Sequence, residues 1–159
     1  MVKASDSAFE AAKSAYIGCG WLLQEVAKEV GWEKTIAIYA STGDRGGQWL
    51  GAMVRAKSGE QKPDAACVSA VLEDAYKGMG IDCEARTSDR GMTIRIERCP
   101  IYEGLAASGI DHATIRKLCE GEAGRRSEHL HGLVPELTGK LKFRESASDT
   151  CLEDFVLAK

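Results

Sequence analysis

Hydrophobic and polar residues alternate with helical spacing through the first half of the chain. Apolar residues recur every three or four positions, a period typical of amphipathic helices. The first stretch starts at Ser5-Asp6, either of which can cap a helix, and ends at Gly31. The second runs over about 32–57, and the third extends from Pro63, in a permitted first-turn position, to Gly78. The pattern therefore predicts three N-terminal helices.

A glycine-rich sequence, TGDRGG, lies in the middle of the second stretch at residues 42–47. It lacks the lysine of a phosphate-binding P-loop, and no predicted strand precedes it. We interpret it as a bend or as a place where two helices pack closely, because glycine leaves room for a neighbouring backbone.

The spacing of apolar residues then changes to every second position. It alternates in this way over 81–86 and again over 92–97. The residues between them, 88–91, have the composition of a turn. Two alternating runs on either side of a turn predict a β-hairpin.

Two helices and a second pair of strands follow the hairpin. A short helix is expected over 101–107, and a long helix runs over 111–131, with an aspartate as its cap. Alternating segments at 140–145 and 151–157 predict two more strands, joined by a polar turn. The fold class is therefore α+β: N-terminal helices followed by a ββαββ antiparallel sheet, with a helix packed on one face.

The composition of the chain limits the classes of protein and partner. Its 159 residues suit a single domain, with a helical part over 1–79 and a sheet with the long helix over 80–159. A net charge of −3 argues against a nucleic-acid partner, and no apolar run is long enough for a membrane helix. The N-terminus has no signal-peptide pattern, so we expect a cytoplasmic protein with free thiols. The open edges of the predicted sheet favour a homodimer.

The long helix places polar residues on its buried face. An advance of about 100° per residue puts Cys119, Glu122, Arg126 and His129 in the apolar arc of the helix. Glu122 and Arg126 lie four residues apart and can pair, which reduces the cost of burying either charge. Two interpretations remain open. One is an internal ion pair that holds the helix to the sheet. The other is a pocket floor on which Arg126 binds a substrate carboxylate and Glu122 or His129 transfers protons.

The six cysteines divide into two groups by their positions in these elements. Those that lie in helical or strand stripes are expected to be small core residues: Cys19, Cys67 and Cys83. Those that end an element or lie beside the buried charges are candidate site residues: Cys99, Cys119 and Cys151. Cys99 precedes a predicted helix start, a position that lowers the pKa of a thiol and suits a nucleophile.

Three short motifs characterise the second half of the chain: CPIYE at 99–103, LCEGE at 118–122 and LKFRESASDTCLEDF at 141–155. With these motifs, residues 80–157 resemble the L-2-amino-thiazoline-4-carboxylic acid hydrolase family. They also look like the 4-vinyl reductase domain, an α/β ligand-binding module. The first half of the chain matches only as a helical region of suitable length.

The resemblance to the hydrolase family implies hydrolytic opening of a small sulfur-containing ring, a cyclic amidine that carries a carboxylate. The recurrent cysteine positions of that family are matched by Cys99, Cys119 and Cys151. In this hypothesis Arg126 pairs with the substrate carboxylate, and Glu122 or His129 is the base. Cys99 or Cys119 is then the nucleophile or a metal ligand.

The resemblance to the 4-vinyl reductase domain implies a different function, the binding of a small ligand or cofactor without turnover, as in a sensor. Zinc-binding members of that family use a cysteine, a glutamate and two cysteines near the final hairpin. Cys119, Glu145 and Cys151 can be placed on that pattern, whereas Ser148 stands where the middle cysteine is expected. Zinc is therefore the candidate cofactor, and a small molecule is the expected partner under both hypotheses.

Overall fold

The computed structural model describes residues 3–59, 61–89, 91–133 and 137–157. The helices are α1 (Asp6–Val30), α2 (Trp32–Ala40), α3 (Thr42–Ser58), α4 (Ala65–Gly78), α5 (Pro100–Ala107) and α6 (His112–Leu133). The strands are β1 (Asp82–Ser88), β2 (Gly91–Arg98), β3 (Leu137–Lys142) and β4 (Cys151–Leu157). Within the described ranges, no helix combines the length and the apolar character that crossing a membrane requires.

The strands form one antiparallel sheet in the order β1-β2-β4-β3. Two strands that are distant in the chain, β2 and β4, lie at its centre. The predicted α+β class with a four-stranded antiparallel sheet is confirmed. The predicted bounds of the third strand are wrong: β3 starts three residues earlier than expected and ends at Lys142, which pairs with Leu152. Phe143 and Arg144, which follow, belong to the loop before β4.

Helices cover one face of the sheet. On β2, Met92, Ile94 and Ile96 are buried beneath the helices, whereas the intervening Arg95 is exposed on the opposite face. α4 packs against β1, and α6 packs against β3. The expected alternation of the hairpin thus creates the apolar surface on which the helices rest.

The second helical stretch is not continuous, which corrects the expectation of three N-terminal helices. The chain leaves α2 at Ala40, bends at Ser41 and starts α3 at Thr42. The hydroxyl groups at the bend donate to carbonyl oxygens of the last turn of α2, from Ser41 to Ile38 and from Thr42 to Tyr39. The bend turns α3 so that it packs against α6.

Close packing of α3 on α6 explains the glycine-rich sequence. A Cβ atom at Gly43 would lie 2.2 Å from the carbonyl oxygen of Glu122 and 2.8 Å from the backbone nitrogen of Arg126. No side chain fits such a gap without separating the two helices. The expectation of a close helix contact is therefore confirmed, and the contact lies at the backbone of Glu122 and Arg126. The bend lies just before this sequence, at Ser41, and TGDRGG itself forms the start of α3.

Replacing Gly43 with alanine should destabilise the protein, because the new methyl group would collide with backbone atoms that cannot move aside. We expect the free energy of unfolding to fall by about 1–3 kcal/mol, measured by urea denaturation. The matched control is Gly124→Ala on the exposed side of α6, where a Cβ meets nothing within 4 Å. The control should gain roughly 0.5–1 kcal/mol from helix propensity. A gain in both variants would contradict the close contact.

Candidate functional site

A cavity of about 220 Å³ lies between the helix-covered face of the sheet and the surrounding helices. Its wall is mainly aromatic and aliphatic, with side chains that include Tyr16, Tyr39, Leu50, Ile96, Tyr102 and Phe143. Trp49 of α3 also lines the cavity and is 50% exposed, so the cavity reaches the protein surface beside α3.

All three candidate cysteines line this cavity, together with Arg126. Cys99 is the N-cap residue of α5, Cys119 lies on α6, and Cys151 is the first residue of β4. The cysteines assigned to the core lie elsewhere: Cys83 is fully buried, whereas Cys19 and Cys67 are half-buried. All six are free thiols. The three candidate site cysteines are thus brought together in the cavity, Cys83 and Cys19 pack in or against the core, and Cys67 lies outside the core cluster.

Burial keeps two of the cavity thiols protonated at neutral pH. It raises the pKa of Cys99 to about 11, although backbone N–H groups of Tyr102 and Ile101 act in the opposite direction. Burial also raises the pKa of Cys119 well above the usual value for a thiol. Cys99 does lie at the N-terminus of a helix, as expected. Desolvation, however, raises the pKa of the thiol by more than the helix N-terminus lowers it. Neither thiol is prepared as a nucleophile in this structure.

The polar side of the cavity is built around Arg126. Its Nη2 atom lies 2.8 Å from Oε1 of Glu153, and its Nη1 atom donates to the Tyr76 hydroxyl at 2.8 Å. The Tyr76 hydroxyl in turn donates to Oε2 of Glu153. Nε of Arg126 lies 3.2 Å from Oε1 of Glu122, one turn earlier on α6. Every nitrogen of this guanidinium therefore has a partner within the protein.

The structure shows the ion pair of the first interpretation, whereas the substrate-binding and proton-transfer roles of the second remain predictions. The pair between Arg126 and Glu153 holds α6 to the sheet, while Arg126 and Glu122 also line the cavity. Two carboxylates share one guanidinium, and burial raises the pKa of Glu122 against the opposing effect of Arg126. The raised pKa makes Glu122 the candidate proton-exchanging group of the network.

Sequence reasoning missed Glu153 and Tyr76 as site residues. Glu153 stands between Cys151 and Phe155 in the alternation of β4, so its side chain had to share their buried face. That alternation was a usable signal for Glu153. Tyr76 lies on the buried face of α4, but nothing local in the sequence indicates that its hydroxyl contacts an ion pair. Its partners come from residues 50 and 77 positions away.

The structure does not assemble the predicted metal ligands. Cys119 and Cys151 reach the cavity, but Glu145 is exposed in the loop between β3 and β4, outside the cavity wall. In the part of the chain that the structure describes, no three histidine, cysteine, aspartate or glutamate side chains are placed to hold a metal ion. The remaining candidate, His129, belongs to α6, but its side chain lies outside the described residues.

Comparisons of this chain with protein-family models, curated proteins and solved structures found no match. The resemblance to the two families rests on the short motifs of residues 80–157 and remains a prediction.

Removing one partner of the buried pair between Arg126 and Glu153 should lower the free energy of unfolding far more than removing both charges. Arg126→Met would leave Glu153 buried without its cation, at an expected cost of roughly 3–5 kcal/mol in the free energy of unfolding. The double variant Arg126→Met/Glu153→Gln should recover most of that loss, because glutamine carries no charge and can still accept from Tyr76. Urea denaturation of both variants provides the measurement. Equal losses in the two variants would show that the pair is not desolvated.

The buried thiols should make the protein less stable in alkaline solution. Burial raises the pKa of Cys83 from 9.0 to about 11. A raised folded-state pKa stabilises the fold fully below the unfolded value, and the contribution is lost as the pH rises through the folded value. Between pH 9 and 11 each such thiol should remove roughly 2–3 kcal/mol from the free energy of unfolding.

Urea denaturation across this pH range tests the expectation. The free energy of unfolding of Cys83→Ala should depend less steeply on pH than that of the wild type. The half-buried Cys67 provides the control variant, Cys67→Ala, whose free energy of unfolding should keep the wild-type slope. An unchanged slope in Cys83→Ala would refute the effect.

Proposed function

We propose that this protein binds a small ring-containing ligand in the cavity, and that an amidine-type or other hydrogen-bond-donating group of the ligand pairs with Glu122. The volume and lining of the cavity carry the proposal. An engineered apolar cavity of about 150 Å³ binds benzene, so about 220 Å³ suits a substituted ring. A mainly apolar wall with few converging polar groups is also typical of small-molecule sites.

The charge of the polar side favours a donating group over a carboxylate. Arg126 already faces the two acidic side chains of Glu153 and Glu122 and contacts the Tyr76 hydroxyl, so a ligand carboxylate would have to compete with these acidic groups for the same cation. Glu122 has more capacity left. Its Oε1 atom faces Arg126, while Oε2 has no hydrogen-bond partner among the described residues. An amidinium offers two parallel N–H donors, the arrangement that a carboxylate binds best.

Two ligands with the same ring and opposite charges test this proposal. Calorimetry with benzamidine and benzoate should show tighter binding of benzamidine by about tenfold or more, equivalent to about 1.4 kcal/mol. Glu122→Gln should abolish the preference, whereas Glu120→Gln should retain it, because Glu120 is exposed on the same helix and pairs with Arg116.

Two other outcomes would contradict the proposal. If benzoate binds better and Arg126→Met abolishes its binding, the carboxylate role predicted for Arg126 is correct and the amidine preference is wrong. If neither compound binds the wild-type protein, the ligand proposal fails.

Hydrolysis of a cyclic amidine is a second candidate function, favoured by the raised pKa of Glu122. A carboxyl group whose pKa moves toward neutrality suits general acid–base catalysis. Glu122 would accept a proton from the attacking water, and the ring nitrogen would take up a proton as the C–N bond breaks. A time course of ring opening distinguishes this function from binding. If product forms, and if Glu122→Gln eliminates it while Glu120→Gln preserves it, the protein is an enzyme. If binding is saturable but no product forms, the protein is a binding module.

The homodimer and the cytoplasmic location remain proposals as well. β1 and β3 are edge strands of an open sheet, and such edges can pair with a second copy of the chain. The free thiols are consistent with a reducing compartment.

A further inference from the structure

Arg144 is a buried cation with no anionic partner among the described residues. It follows β3, is 3% exposed, and forms no salt bridge in the described part of the chain. Its guanidinium carbon lies 4.5 Å from the centre of the Tyr102 ring, and Nη1 donates to the carbonyl oxygen of Ala147 at 3.3 Å. The Nη2 atom is buried without a hydrogen-bond partner. This arrangement contrasts with Arg126, whose charge is shared by two carboxylates.

The remaining nitrogen of Arg144 points at a cavity thiol. Nε lies 3.4 Å from Sγ of Cys151, within hydrogen-bond distance for sulfur. The nearby acidic side chains of the loop, Glu145 and Asp149, are exposed. An uncompensated buried charge costs several kcal/mol, so the site favours an anion beside this guanidinium. The sulfur of Cys151 is the cavity group that accepts from this guanidinium, and an adjacent arginine is a setting typical of reactive cysteines.

In the described part of the chain, neither of the other two cavity thiols accepts a hydrogen bond from a side chain, although the charge of Arg144 reaches both of them. They lie near Cys151 and are held protonated by burial, as described above. Three thiols therefore line the cavity, and the structure gives one of them a guanidinium donor.

We propose that Cys151 is the reactive thiol of the cavity, that it adds to small aromatic α,β-unsaturated carbonyl compounds, and that Arg144 is the residue that positions and activates it. This inference rests on the proposed function only in that the cavity must admit a ring-containing molecule. In the reaction, the sulfur gives up its proton and forms a bond to the β-carbon of the electrophile. The electron pair of the C=C bond moves to the α-carbon, which then takes up a proton. No atom is lost, and no oxidant or reductant takes part.

Phenyl vinyl ketone, at a concentration below that of the protein, tests the inference by peptide mapping with mass spectrometry. The expected adduct is on Cys151, with the full mass of the reagent added. Arg144→Met should slow the labelling of Cys151 by roughly tenfold, because the sulfur loses its guanidinium donor. Labelling of Cys67, which lies outside the cavity, is the internal reference and should not change. Arg95→Met, which removes an exposed arginine from the outer face of the sheet, should leave both rates unchanged.

A second variant and a second reagent keep this test independent of folding and of ligand binding. Arg144→Lys retains a positive charge and should restore part of the rate if charge activates the sulfur. Iodoacetamide is too small to require the ring-binding cavity and should show the same dependence on Arg144. Preferential labelling of Cys99 or Cys119, or a Cys151 rate that is unaffected in Arg144→Met with both reagents, would overturn the inference. Arg144-dependent labelling in a protein that binds neither benzamidine nor benzoate would support the reactive thiol and reject the amidine proposal.

Discussion

The buried pair between Arg126 and Glu153 is the interaction around which the second half of this protein is organised. It joins the long helix α6 to the central strand β4, and Tyr76 adds α4 through hydrogen bonds to both charges. Desolvated charges are costly unless they meet in good geometry, so the pair tolerates neither a rotated helix nor a shifted strand. A slip of one residue in β4 would turn Glu153 to solvent and also remove Cys151 from the cavity.

The chemical properties of the cavity depend on the side chains around this ion pair. Most of its wall is aromatic or aliphatic. On its polar side, Glu122 has a carboxylate oxygen without a partner among the described residues, beside Arg126, each of whose nitrogens already has a partner. Arg144 is not part of the wall, but it contacts the sulfur of Cys151, which is, and it has no carboxylate partner in the described part of the chain. The same low polarity that suits a ring-shaped ligand keeps Cys99 protonated, because a thiolate there would lose its hydration. Apolar binding and selective thiol reactivity thus have one physical cause.

Several features of the site could be predicted locally, and others could not. The phase of α6 placed Glu122 and Arg126 on its buried face, because a helix repeats its direction every 3.6 residues whatever it contacts. The alternation of β4 contained a similar signal for Glu153. The bend at Ser41 was only partly visible: the glycines indicated a close approach, but the partner at the backbone of α6 lies about 80 residues away. Arg144 had no signal, since it follows a strand and its burial depends on Tyr102 and Cys151.

The sequence by itself determined the elements, their apolar faces and the α+β class, since these follow from periodicities that act over a few residues. It also separated Cys99, Cys119 and Cys151 from the packing cysteines by their positions at element ends or beside charges. Only the tertiary structure decided that these thiols share one cavity, that Arg126 is already paired and that Glu145 remains outside. These features depend on contacts between residues that are distant in the chain and on how completely those contacts exclude water. The local spacing of residues along the chain specifies neither.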